Sequence, residues 1–262
     1  MKDKKEALII VSGATAKLGK AYVSYFVKNK SFKVIGLSRK NKNKLVTNME
    51  YLICDLMNKA EVYKKISKID ISLFKEVWLI HAVGKFKFEE SGEPKEDFDL
   101  DGIDDKVYDS NVTSFLNIFV PLIEKIEKTN LKNKILRIMC FGSITDKYSI
   151  PYWNSYTKAK NKLRDILKGF SERKDFKKST KALFVNVSTV DTGNENLLRP
   201  LADKSYWLKP DEIVKKSLIE LLKNKKGYFE VEVYRHKPDF DTRYYRNTSA
   251  ILRKWKKEMM GK

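Results

Sequence analysis

The chain has 262 residues, of which 42% are hydrophobic and 34% charged, with a formal net charge of +20. That length and apolar content allow one large core and exclude a disordered chain. No apolar run reaches the roughly 18–20 residues of a membrane-spanning helix, so no transmembrane segment is expected. The lysines are spread along the whole sequence, without an RNP, zinc-finger or basic-zipper pattern. This reads as a general basic bias, or as a field that attracts anionic ligands, and no specific nucleic-acid partner is expected.

Apolar runs of strand length alternate with stretches of helical periodicity. Residues 7–11 read as a buried strand. The apolar stretch there is too short for a secretory leader, and Gly13 opens a turn. A helix is predicted over 17–29, strands over 32–37 and 51–54, a helix over about 58–68, and a strand over 77–82. A long polar stretch with a helical pattern follows over about 93–128. Then come a strand at 134–141, a helix at 154–173 and a strand at 182–188. A helix at 211–223, with Asp211 favouring its N-terminus, and a strand at 228–234 complete the pattern. Apolar strands separated by helices predict an α/β fold, a Rossmann-like doubly wound parallel sheet of about seven strands. Cys54 and Cys140 lie in strand-like runs and read as buried thiols of a reducing cytoplasm. Two cysteines and two histidines argue against a structural zinc cluster, and no metal site is expected.

The first strand runs into Ser12-Gly13-Ala14-Thr15-Ala16-Lys17-Leu18-Gly19. Strand, glycine turn and helix start in this order suit a phosphate. Glycine permits a tight turn and close backbone approach, and the helix N-terminus offers free N–H groups and a positive dipole end. A glycine turn can also be purely structural. The second strand ends in Ser38-Arg39-Lys40, without the carboxylate that binds a ribose diol in NAD-preferring sites. Arg39 can bind a 2′-phosphate, and Ser38 can add a hydrogen bond. The alternative is a solvated basic turn.

Ser143 follows a strand, Tyr156 opens a helical segment thirteen residues later, and Lys160 lies four residues beyond, on the same helix face. Together with the glycine turn, this pattern resembles the short-chain dehydrogenase/reductase family over about residues 6–235. The single-domain members' TGxxxGxG places Lys17 where the middle glycine falls. The sugar-nucleotide-modifying members' TGxxGxxG places Ala16 there instead. In both registers Gly13 and Gly19 match and Ser12 replaces Thr. Cys54-Asp55-Leu56 resembles the pair that holds adenine, although Asp55 reads equally well as a helix cap. His81-Ala82-Val83-Gly84 stands in place of NNAG and keeps only Gly84. His81 therefore reads as a packed strand-end residue. Asn186-Val187-Ser188-Thr189-Val190-Asp191-Thr192 resembles PGxVxT and keeps Val190 and Thr192, which would contact the nicotinamide amide and the diphosphate.

The resemblance implies a cytoplasmic NADP(H)-dependent oxidoreductase that interconverts a carbonyl and an alcohol on a small molecule, assembled as a homodimer or homotetramer. Tyr156 would be its acid/base, Lys160 would lower the tyrosine pKa and hold the nicotinamide ribose, Ser143 would hold the substrate oxygen, and Asn111 would relay protons through a water. A lid is expected over about 193–209, with Leu197, Leu198, Tyr206 and Trp207. Tyr148, Tyr152 and Trp153 are expected to line the pocket or to pack in the core. Residues 1–236 would form the domain and 237–262 a basic tail. In the tail Ile251, Leu252, Trp255 and Met259 have the spacing of a helix docked on the core or on another subunit. Two other readings stand beside this one: a nucleotide-sugar-modifying enzyme, and a non-catalytic NADP(H)-binding sensor.

Overall fold

The computed structural model describes residues 6–40, 49–89, 103–128, 134–237 and 240–260. Seven parallel strands form one sheet: β1 (Ala7–Ser12), β2 (Phe32–Ser38), β3 (Met49–Ile53), β4 (Glu76–His81), β5 (Ile135–Ser143), β6 (Thr180–Val187) and β7 (Gly227–Val233). Their order is β3-β2-β1-β4-β5-β6-β7. Every residue of β1 is buried, as expected of a strand covered on both faces.

The helices cover the two faces. On one face α1 (Lys17–Phe26) and α8 (Pro210–Leu222) pack over Ile9, Val11, Ile80 and Val185. On the other face α2 (Lys59–Ser67), α4 (Ser114–Lys128) and α6 (Asn154–Glu172) cover Leu8, Leu79, Ile138 and Phe184. The strand order reverses between β1 and β4, whose ends are in register at Ser12 and His81. Such a switch point opens a crevice at the carboxyl ends of the strands, where α/β folds bind ligands.

Several elements differ from the sequence reading. The helix expected over 17–29 ends at Phe26. Of the helix expected over 93–128, residues 93–102 lie outside the described residues. The rest is a bent rod of α3 (Asp105–Tyr108), a π-helical turn (Asp109–Thr113) and α4. The short helices α5 (Ile144–Tyr148) and α7 (Gly193–Leu198) were not expected. At five and six residues they are too short to show a helical period. The tail forms a 3₁₀ turn (Thr242–Arg246) and α9 (Thr248–Met260). Of the two placements expected for it, the chain's own core is the one seen: Ile251, Leu252 and Trp255 pack with Ile144, Ile150 and Trp153. Among the described residues no helix is long and apolar enough to cross a membrane.

Candidate active site

At the switch point Gly13 has φ +67°, a left-handed conformation that disfavours a side chain. A Cβ there would also stand 2.8 Å from the Ala82 carbonyl oxygen. The turn closes through Ala16 N–H donating to the Gly13 carbonyl. No side chain caps α1 at Ala16, which leaves the N–H groups of the first turn to other partners. Ala16, Lys17 and Leu18 line a cavity of about 610 Å³. Gly13 and Gly19 act as the turn's packing residues instead, and Lys17 reaches across to Asp191 at 2.9 Å. Asp191 also pairs with Lys209 at 3.1 Å, and these bonds with Asn196 hold its carboxyl well below the usual range.

Ser143 is the last residue of β5, and Tyr156 and Lys160 lie on the first two turns of α6. The structure brings all three to the cavity wall. The Ser143 side chain faces the Tyr156 hydroxyl, an interaction that favours the phenolate. The Lys160 ammonium lies 5.2 Å from the centre of the tyrosine ring. Asn111 sits in the π-helical turn, a distortion that aims a helix residue inward. Its amide nitrogen donates to the Lys85 and Val107 carbonyls at 2.7 and 2.8 Å. Its oxygen is buried without a protein partner. A Cβ on Gly84 would meet that oxygen at 2.6 Å and the Lys160 nitrogen at 3.2 Å, so Gly84 leaves the space that both groups share.

The electrostatics differ from expectation. Burial pushes the Tyr156 phenol up, and the Asp146 and Glu195 carboxylates push it further; Lys160 does not offset them. The direction is opposite to the expected lowering because burial is the largest influence on the phenol. Burial brings Lys160 itself down to about 8. His81 is a packed residue, as expected. It hydrogen-bonds Ser12 at 2.9 Å, stands edge-on to Phe115, and is pushed by burial down to about 3.

Residues between 187 and 207 and residues of the tail line the rest of the cavity. Val190 pairs with Leu208. Thr192 lines the cavity, while its hydroxyl accepts the Glu195 N–H as the cap of α7. Arg199 joins the two parts: its guanidinium lies 3.8 Å over the Trp255 ring and bonds Glu195, Glu258 (2.8 Å) and Thr189 (3.2 Å). Trp153, Tyr206 and Trp207 line the cavity, whereas Tyr148 and Tyr152 do not. Tyr152, at φ +72°, turns away to stack on Phe88. Leu197, expected within the lid, is 82% exposed.

The residues expected at the adenosine end lie at the ends of β2 and β3, apart from this cavity. Ser38 is buried and its hydroxyl donates to the Lys40 carbonyl at 2.6 Å, while Arg39 is exposed beside it. Asp55 does not cap α2; Asn58 does, by accepting the Glu61 N–H. Asp55 instead accepts the Met57 N–H, and Leu56 is buried beside it. Cys54 and Cys140 are buried free thiols. Thr15 lies in the glycine turn, outside the cavity lining.

Sequence reading missed Asp146, Arg199 and the wall made by α9. Asp146 carried a signal, since Ser143-x-x-Asp146 is the pattern of a helix capping box, and both of its hydrogen bonds form.

Solved structures share this architecture. A short-chain dehydrogenase from Burkholderia cenocepacia in complex with NADP aligns over 97% of this chain and 99% of its own, with TM-score 0.68 and 16% identity. A 3-ketoacyl-(acyl-carrier-protein) reductase from Brucella melitensis complexed with NADH covers 88% and 97%, with TM-score 0.69 and 15% identity. A short-chain dehydrogenase family protein from Francisella tularensis covers 87% and 97%, with TM-score 0.67 and 22% identity. The fold is that of the short-chain dehydrogenases and reductases. No protein-family model and no curated protein matches the chain.

Proposed function

We propose that this chain is an NADP(H)-dependent oxidoreductase that interconverts a carbonyl and an alcohol on a small molecule. The observation that carries this reading is the Ser143–Tyr156 hydroxyl pair on the cavity wall, with Lys160 beside the tyrosine ring and the Asn111 oxygen next to Lys160.

The residues fit a dinucleotide. The uncapped N-terminus of α1 suits a diphosphate, Lys160 a ribose, and Val190 and Thr192 the nicotinamide end. Arg39, beyond a strand end without a carboxylate, suits a 2′-phosphate. The bound cofactor supplies hydride at carbon. The chain's own residues supply the proton and the geometry. Tyr156, held protonated by burial, donates to the substrate oxygen while Ser143 donates a hydrogen bond to the same atom. Lys160 and the Asn111 oxygen provide the route that reprotonates the tyrosine. The Trp153, Trp207 and Trp255 walls exclude water. A homodimer or homotetramer belongs to the same reading, and light scattering at micromolar concentration checks it.

The test is a carbonyl and alcohol screen with NADPH, repeated with Tyr156→Phe. Removal of one hydroxyl is expected to leave NADPH affinity in place and to cut turnover by roughly 10²–10⁴. A variant with near-normal kcat defeats the mechanism. Tight NADPH binding with no turnover across a broad screen favours a non-catalytic binding protein.

A further inference from the structure

A carboxylate lies buried beneath the serine and takes no part in the mechanism above. Asp146 is the third residue of α5, and its side chain is fully buried. One oxygen accepts the Ser143 N–H at 2.8 Å, and the other is paired with Arg164 at 2.5 Å. Arg164 stands on α6, four residues after Lys160 and eight after Tyr156, so the three share one side of the helix. The guanidinium also contacts Asn186 and Glu230, at 3.3 and 3.2 Å, and lies 4.7 Å over the Phe184 ring. A Cβ on Gly142 would stand 2.2 Å from the Asn186 oxygen and 2.9 Å from an Asp146 oxygen. The strand end is thus bare where this cluster closes under Ser143.

Capping does not account for the cluster. A helix cap is worth about 1 kcal/mol, and α5 has only five residues. Taking a carboxylate and a guanidinium out of water costs several kcal/mol per ion, and apolar replacements of such pairs are often neutral or stabilising.

We propose that Asp146, with Arg164 as counter-ion, is the positioning residue of the Ser143–Tyr156–Lys160 site: it fixes the serine backbone and ties the serine turn to the helix that carries the tyrosine and lysine. The proposal rests on the oxidoreductase reading. Besides Arg164, the titratable groups that interact with Asp146 are Tyr156 and Lys160 from α6 and Tyr234, one residue past β7, while Glu230 of β7 shares the Arg164 guanidinium. Its charge favours the protonated form of both Tyr156 and Lys160, so the clamp also sets the pH at which the site holds its proton.

Asp146→Asn in the full chain keeps an acceptor for the Ser143 N–H and removes the charge. The alkaline limb of the reduction rate is expected to move down by about one pH unit, with NADPH affinity within about twofold of the parent. Asp146→Ala loses the acceptor as well, and kcat falls further. Should the single variants fail to fold, Asp146→Asn with Arg164→Gln removes both charges of the buried pair, leaves only the part-exposed Glu230 without its arginine, and is expected to show the same displacement. A purely structural Asp146 lowers the unfolding temperature and leaves the pH profile where it was, which overturns the proposal. If no substrate turns over, the oxidoreductase reading is lost, yet Lys160 can be followed by NMR of ¹³C-labelled lysine, assigned with Lys160→Met. Titration of Lys160 at the same pH with and without the Asp146 charge overturns the proposal; a lower pH in the variants supports it.

Discussion

A methyl group built on Gly19 would stand 2.2 Å from the carbonyl oxygen of Gly13, so the first turn of α1 rests directly on the turn that precedes it. The contact is backbone against backbone, and neither partner can swing aside. Gly19→Ala is therefore expected to lift α1 from the turn, at a cost of about 1–3 kcal/mol. Thermal unfolding and NADPH titration should show a lower midpoint and weaker binding together. Ala16→Gly, which meets no such contact, should weaken neither by a comparable amount. An unchanged Gly19→Ala protein would mean that α1 does not sit on the turn as described.

Arg39 sets the second prediction. It is exposed at the end of β2, next to the buried Ser38. A charge-assisted hydrogen bond is worth about 1.5–3 kcal/mol, so Arg39→Ala should weaken NADPH binding by roughly 10–100-fold and leave NADH nearly unchanged. Titration calorimetry with both cofactors decides this. Equal losses for the two would remove Arg39 from 2′-phosphate recognition.

Much of this could be read before the structure. The strands are continuous apolar runs, and a strand buried on both faces leaves that trace whatever packs against it. Ser143, Tyr156 and Lys160 were legible because two local rules set their positions: one residue ends a strand, and the other two are one helical turn apart. The direction of the tyrosine's shift was not legible. It depends on burial beneath residues such as Trp255, which returns from about a hundred positions away to close the cavity. Its neighbours in sequence left Tyr152 open between pocket and core, and its left-handed backbone decides for packing, turning it to Phe88. Helical spacing showed that the tail forms a helix; which surface it covers is decided by Arg199, a residue in another segment.

Arg199 also carries a prediction. It separates Glu195 from Glu258, two carboxylates that are largely buried. Arg199→Met would keep the stacking length over Trp255, leave Glu195 without its counter-ion and leave Glu258 with only the longer Lys254 pair at 3.9 Å. Breaking such a buried network costs about 3–5 kcal/mol, more than the remaining contacts of α9 are expected to offset. Limited proteolysis should cut the tail of the variant first, and KM should rise more than kcat falls. Arg199→Lys should behave similarly, because an ammonium cannot bond Glu195, Glu258 and Thr189 while stacking on an indole. A protease-resistant tail in Arg199→Met would show that the apolar face of α9 suffices to hold it.

Lys160 is 3% exposed, and burial lowers its ammonium from an ordinary 10.5 to about 8. Between those values the unfolded chain holds a proton that the folded chain has released, so stability rises with pH across that window. Below about pH 8 both states are protonated, and the fold bears the whole cost of the buried charge. A gap of about 2.5 units at about 1.4 kcal/mol each makes that cost on the order of 3 kcal/mol. Lys160→Met keeps the chain length and removes the charge. At pH 7 it should unfold at a higher urea concentration than the parent, by an amount of that order. The difference should shrink steadily from pH 8 upward and be nearly gone by about pH 10.5, where the parent's lysine is neutral in both states. Lys181, also lowered to about 8, is present in both proteins and cancels in the comparison. Turnover should be lost in the same variant, which would mark Lys160 as a residue that destabilises the fold it serves. Unfolding curves that stay parallel from pH 7 to 10.5 would show instead that the lysine is solvated in the folded protein and is not held in the buried position beside Tyr156.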